Sequence, residues 1–235
     1  MPAQLTIAMA QTNPTVGDLE ANLALARRLR AEAAAAGADL VVFSELMLVG
    51  YPPEDLVLKP ALCQHARLAL EELARDTGDG GPAVVVGAPW RESEGAVYNG
   101  AFLLAGGTVA GRMLKHELPN YGVFDEKRVF AAGPIPGPMR LPLRGGGAVR
   151  LGIMVCEDMW FEDVAEGLGE SGAQILIVLN GSPFEHGKED QRLQLAVARV
   201  TETGLPLLYV NQVGGQDELV FDGASFALDA GRRLV

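Results

Sequence analysis

Five short apolar runs constrain this chain more than any other feature: Leu-Val-Val-Phe at 40–43, Ala-Val-Val-Val-Gly-Ala at 83–88, Leu-Gly-Ile-Met-Val at 151–155, Ile-Leu-Ile-Val-Leu at 175–179 and Leu-Leu-Tyr-Val at 207–210. Each is too short for a core helix and rich in β-branched residues. None shows the polar alternation of a strand with one wet face, so each reads as a strand covered on both sides. One helical pattern precedes them, at 18–36, and others lie between them, at 62–76, 161–169 and 189–203. The first opens on a capping Asp18 and carries Leu19, Leu23, Leu25 and Leu29 among alanines and arginines, and Gly37 stops it. Residues 97–104 and 108–115 flank Gly106-Gly107 as a hairpin, 4–11 reads as a first strand, and the tail 222–235 as a further hairpin. The Gly- and Pro-rich stretch 133–147 reads as a loop. Strands alternating with helices, interrupted by hairpins, predict an α/β domain built on a mixed, largely buried sheet. No internal repeat or interdomain linker breaks the 235 residues, so 1–235 reads as one domain. The ending DAGRRLV lies in a strand pattern without a closing element, and the expectation is that the protein continues beyond it.

With 49 % hydrophobic residues the chain can bury a real core. A formal net charge of -11 opposes a nucleic-acid surface, which must gather Lys and Arg to neutralise phosphates. No apolar run approaches bilayer thickness, and the start MPAQLTIAMAQTNP lacks the basic head and cleavage site of a signal peptide. Two cysteines, Cys63 and Cys156, form no disulfide framework, and His65, His116 and His186 have no zinc spacing. A reducing, cytoplasmic location is therefore expected, with no nucleic-acid or membrane partner.

In open α/β sheets chemistry gathers at the carboxyl ends of strands. Those ends hold Glu45 after LVVFS, Lys115 after VAGRML and Cys156 after VRLGIMV. A carboxylate, an ammonium and a thiol can together perform covalent catalysis: one takes the thiol proton, another favours the developing charge, and the sulfur attacks. Each has a plainer reading alone, the cysteine as a small buried hydrophobe and the other two as surface charges. Cys63, inside the helix ALCQHARLALEELARD, reads as structural. The neighbouring segments GYPPEDL, LPNYGVFDEKRVF, CEDMW and NGSPF are rich in large side chains, as the wall of a closed pocket would be.

The order Glu45, Lys115, Cys156 resembles the Glu-Lys-Cys triad of the carbon–nitrogen hydrolase (nitrilase) superfamily. The blocks GYPPEDL, LPNYGVFDEKRVF, CEDMW, NGSPFEHGK and YVNQVGGQDELVFDGAS resemble the glutaminase domain of glutamine-dependent NAD synthetases. The resemblance runs from near the N-terminus to the last residue. It implies a four-layer α-β-β-α sandwich, with Glu45 as general base, Lys115 as oxyanion and orienting partner, and Cys156 as nucleophile. Glu126 matches a second glutamate beside the lysine, and Tyr121, Ser182 and Lys188 match positions that hold glutamine, with Glu157 lending its backbone N–H to the oxyanion. It also implies L-glutamine as substrate, no cofactor for this half, and a homo-oligomeric protein. Family members continue into an ATP-dependent synthetase domain with an SGGxDS loop, where ATP and Mg act. No such loop lies within these residues.

The stretch GSPFEHGKE is not a P-loop: five residues separate its glycines and no Ser or Thr follows Lys188. A serine hydrolase lacks its GxSxG elbow here. Two alternatives stay open on the sequence: an amidase acting on another ω-amide or carbamoyl compound, and a catalytically silent scaffold of the same fold.

Overall fold

The computed structural model describes residues 4–235. Its strands form two five-stranded sheets and a separate hairpin. In the first sheet β1 (Ile7–Met9), β2 (Leu40–Val42) and β3 (Ala83–Arg91) run parallel, and β4 (Val97–Ala105) and β5 (Thr108–Leu114) extend it as an antiparallel meander. The second holds parallel β7 (Ala148–Val155), β8 (Ile175–Leu179) and β9 (Leu207–Val210), edged by antiparallel β6 (Met139–Pro142) and β12 (Phe226–Leu228). The hairpin pairs β10 (Val213–Gln216) with β11 (Leu219–Asp222).

Period-two alternation turns these strands into layers. Leu40, Val42, Val85 and Leu103 of the first sheet meet Leu151, Ile153, Val155, Ile177 and Leu179 of the second. The intervening residues Val41, Phe43, Val84 and Val86 face outward, onto Leu23 and Ala26 of α1 (Leu19–Ala35) and Leu70 and Leu73 of α2 (Pro60–Asp76). Met154, Leu176, Val178 and Tyr209 likewise meet α4 (Glu162–Glu170) and α5 (Lys188–Thr203). The result is the α-β-β-α sandwich, and both faces of each sheet are apolar because both are covered. Burying one such Val, Leu or Ile is worth about 1.5–3 kcal/mol.

Helix limits follow local chemistry. The Asp18 carboxylate accepts the Ala21 N–H at 3.0 Å, which caps α1. Pro60 occupies the first turn of α2, where its missing N–H costs nothing.

Four expectations need correction. The single mixed sheet read from the runs is two sheets, since a sequence pattern shows that both faces are covered but not what covers them. The stretch read as a loop at 133–147 contains β6, in which Met139 and Leu141 point inward between exposed Arg140 and Pro142. An edge strand tolerates that proline, whose missing N–H breaks no ladder bond. The 4–11 segment is strand only at Ile7–Met9. The tail hairpin reduces to β12 on β9 plus one bridge between Leu228 and Leu234, while the hairpin β10–β11 just before it was not expected.

Gly87, in β3, lets the chain after β2 cross the sheet. A Cβ there would lie 2.3 Å from the Leu46 nitrogen and 2.8 Å from the Glu45 carbonyl carbon, both backbone atoms that cannot yield cheaply. Gly87→Ala is expected to lower unfolding free energy by ~1–3 kcal/mol, the usual cost of overpacking, through a lower urea midpoint at unchanged m-value.

Candidate active site

Glu45 and Lys115 follow β2 and β5 of the first sheet and Cys156 follows β7 of the second, and all converge at one end of the sandwich. Glu45 and Lys115 are fully buried and Cys156 is 3 % exposed. The Lys115 Nζ lies 2.8 Å from Glu45 Oε1 and 2.9 Å from both oxygens of Glu126, the first residue of the short helix α3 (Glu126–Val129). This ammonium is the hub of the site.

Neutral donors fix the carboxylates around it. Asn99, on β4, donates from Nδ2 to Glu45 Oε1 at 2.7 Å, and the Gly181 N–H donates to Oε2 at 2.8 Å. Tyr51 donates its hydroxyl to Glu126 Oε1 at 3.0 Å. Gly181 must be glycine for this to fit. A Cβ there would lie 2.7 Å from the Tyr51 ring and 3.2 Å from Glu45 Oε2. The acids of the YPPEDL block, Glu54 and Asp55, pair with Arg128 of α3, which ties the Tyr51 loop to the Glu126 segment.

Cys156 opens a 3-10 turn, Cys156–Met159, with a positive φ of 46°. Such a conformation strains a non-glycine residue and is held only where the surroundings enforce it. Asp158 supplies that enforcement. Its Oδ2 accepts the Val155 N–H at 2.9 Å, and its Oδ1 accepts the N–H groups of His116 and Glu117 at 3.0 and 2.9 Å. One buried carboxylate thus clamps the residue before the cysteine to the two after the lysine.

Burial pushes the Cys156 thiol well above its ordinary pKa, and the Glu45 charge adds to this while Lys115 opposes it. The resting sulfur therefore carries its proton. For Lys115 burial alone would favour the neutral amine, but Glu126 and Glu45 together outweigh it and hold the ammonium well above the ordinary lysine range. Burial raises Glu126 to about 7, with Lys115 opposing and Glu45 reinforcing the shift. Two carboxylates around one cation leave a surplus negative charge, which a proton on Glu126 relieves. Burial also raises Asp158 to about 6 in spite of its three N–H donors.

A second ring surrounds the thiol. Tyr121, half exposed, donates its hydroxyl to both oxygens of Glu157 at 3.0 Å. Burial raises the Glu157 carboxyl, while Tyr121, Lys115 and Lys188 each oppose the shift. Lys188 starts α5 yet is buried, its Nζ 5.4 Å from the Phe124 ring centre and 5.9 Å from that of Trp160. It also approaches the exposed Glu185 at 3.3 Å. Ser182, next to Gly181, is buried, and its Oγ accepts from Arg192 Nε at 3.1 Å.

All eight residues singled out from the sequence thus gather in one place. Asn99, Tyr51, Asp158 and Arg192 were missed. An asparagine inside an apolar strand was the one available signal, because a buried amide requires a partner. Cys63 lies away from the thiol site, its Sγ donating to the Val57 carbonyl at 3.2 Å. Among the described residues no cluster of three or more His, Cys, Asp or Glu is arranged to hold a metal, and no helix is long and apolar enough to cross a membrane.

A sequence profile described as carbon-nitrogen hydrolase matches residues 6–235. The glutamine-dependent NAD(+) synthetase of Rhodobacter capsulatus is 50 % identical over 229 residues, covering 97 % of this chain and 40 % of the relative. That of Xylella fastidiosa is 43 % identical over 235 residues, covering 98 % and 41 %. The chain thus spans about 40 % of the length of these curated relatives. Among solved structures, a glutamine-dependent NAD+ synthetase from Acinetobacter baumannii in complex with ADP superposes with a TM-score of 0.87 at 34 % identity, covering 98 % of this chain and 42 % of that one. An amidase mutant from Nesterenkonia sp. AN1, with acrylamide added at its active-site cysteine, gives 0.83 at 29 % identity, covering 98 % and 87 %.

The raised Glu126 carboxyl yields a pH prediction with a definite sign. A carboxyl near 7 when folded and near 4.5 when unfolded binds a proton on folding, so its contribution to stability is fully present below about 4.5 and is lost as pH rises through about 7. Glu126→Gln has no such proton to bind. The difference in unfolding free energy between pH 5 and pH 7.5, measured with urea, should therefore be more positive for wild type than for Glu126→Gln.

Proposed function

Because the chain belongs to the carbon–nitrogen hydrolase family, we propose that it hydrolyses the side-chain amide of glutamine through a thioester on Cys156. The ammonia then serves an ATP-dependent synthetase unit on the same polypeptide beyond residue 235, converting deamido-NAD to NAD. ATP and Mg act only in that unit, and the hydrolytic half needs no cofactor. A cytoplasmic, homo-oligomeric protein completes the proposal, on the strength of the resemblance.

The observation that supports the choice of glutamine is that a carboxyl, Glu157, and a buried ammonium, Lys188, lie near one another around the thiol without a direct ion pair between them: Glu157 is held by Tyr121 and Lys188 approaches Glu185. A simple amide offers nothing to two opposite charges held at the edge of a buried site. Glutamine offers an α-ammonium for Glu157 and an α-carboxylate for Lys188, and both groups need partners once they leave water.

In the proposed reaction Glu45 takes the proton of the Cys156 thiol as the sulfur attacks the carboxamide carbon. The oxyanion forms between Lys115 and the backbone N–H of Glu157, which lies in the first turn after the cysteine and has no partner within that turn. Glu45 returns the proton to the nitrogen, the C–N bond breaks, and ammonia leaves a γ-glutamyl thioester. Glu45 then takes a proton from water, which attacks the thioester, and the proton returns to sulfur as glutamate departs. Glu126 keeps Lys115 charged and aimed throughout. A protonated resting thiol suits this sequence, since thiolate forms only as the substrate receives it.

Cys156→Ala should abolish ammonia release from glutamine and Cys63→Ala should leave it near wild type, in a steady-state ammonia assay. Full activity of Cys156→Ala would end the proposal. For specificity, Lys188→Ala should raise the KM for glutamine by at least ~10-fold, the scale of one lost charged hydrogen bond, and barely change turnover of an uncharged amide. Equal losses on both substrates would assign Lys188 to the fold instead, and would favour an amidase acting on other amides.

A further inference from the structure

Arg192 takes no part in the reaction as written, yet it is among the most completely buried side chains of the protein, at 1 % exposure. It lies one turn after Lys188 on α5 and spends its whole guanidinium on the wall of the site. Nε donates to the Ser182 hydroxyl at 3.1 Å, and Nη2 donates to the Ser182 and Pro183 carbonyls at 3.0 and 2.7 Å. Nη1 reaches both oxygens of Asp222, at the end of β11, at 2.9 and 3.0 Å. Asn211 holds Ser182 from its other side, accepting its N–H and donating to its carbonyl, each at 3.0 Å. A buried cation with one carboxylate and three loop oxygens is a costly way to brace a turn, unless the exact presentation of that turn matters.

The chemistry lies in the hydroxyl. A serine oxygen that accepts from a guanidinium has its own hydrogen free to donate elsewhere. The Tyr209 hydroxyl, kept protonated by burial, lies within hydrogen-bonding reach of the Ser182 side chain, so it is the neighbour from which a substrate carboxylate would draw the Ser182 hydrogen. We propose that Arg192 is a positioning residue that fixes the Ser182 hydroxyl as a hydrogen-bond donor toward the substrate α-carboxylate, and that Asp222 holds Arg192 in place. Ser182 and Lys188 then form an all-donor anion site, set apart from the acceptor Glu157 that takes the α-ammonium. This inference rests on the glutamine reading, and ammonia release by the wild-type protein tests that reading first.

The test compares Arg192→Met, Arg192→Lys, Asp222→Asn, Ser182→Ala and the Arg192→Met/Ser182→Ala double variant in the intact protein. Arg192→Met should raise the KM for glutamine ~10-fold or more while kcat falls only a few-fold. Arg192→Lys, a point charge without the planar fork, should recover only part of the loss, and Asp222→Asn should show a smaller rise of the same kind. Alkylation of Cys156 by iodoacetamide, which needs no carboxylate site, should stay near the wild-type rate in all of them. The double variant should be no worse than the worse single, because both remove one interaction. An unchanged KM, losses that multiply in the double variant, or alkylation that falls in step with glutamine turnover would each overturn the assignment. If Arg192→Met fails to fold, Asp222→Asn in a cycle with Ser182→Ala gives the same decision.

Discussion

The site depends on one buried ammonium. Placing Lys115 out of contact with water costs several kcal/mol, and only close anions can offset that loss. Glu45 and Glu126 do so at 2.8–2.9 Å, but two carboxylates overcompensate and themselves need donors. Asn99, the Gly181 N–H and the Tyr51 hydroxyl answer that second demand. Each belongs to a different segment, so satisfying one charge recruits β4, the loop after β8 and the YPPEDL loop in turn. The cluster is expensive as a source of stability. Its value is that a carboxylate, an ammonium and a thiol are held in fixed relation without any ligand, which is the arrangement from which electrostatic catalysis gains most.

Asp158 plays the matching part for the nucleophile. Two strands from opposite sheets end at Val155 and Leu114, and nothing in their ladders relates one to the other. Three N–H groups on a single carboxylate supply that relation, one from the cysteine strand and two from the residues after the lysine. The positive φ of Cys156 becomes tolerable because Val155 and Asp158 bracket it.

Much of this was readable from the chain itself. The five apolar runs are all strands, because a strand buried on both faces has no polar positions to disguise it. Glu45 and Cys156 stood out because each follows such a run, Lys115 because it ends the second arm of a hairpin, and the outer ring because its blocks resemble a known family. What escaped detection has a common cause. Asn99, Tyr51, Asp158 and Arg192 act across 54, 75, 42 and 30 residues of sequence, and no local period records such a contact. The strand β6 escaped for the opposite reason: the glycines and prolines of the stretch around it carry a loud local signal that pairing with β7 overrides. The hairpin β10–β11 is short and mostly part-exposed, with two glycines in its first strand, so it carries little of the strand pattern.

The sheets meet face to face, and the three central groups divide between them: the Glu45 carboxylate and the Lys115 ammonium on one, the Cys156 sulfur on the other. Neither half contains a working fragment. In a chain with only one sheet assembled, Cys156 is an ordinary thiol and Glu45 an ordinary carboxylate, each with its solution chemistry. The three groups therefore come together only where the two sheets are docked.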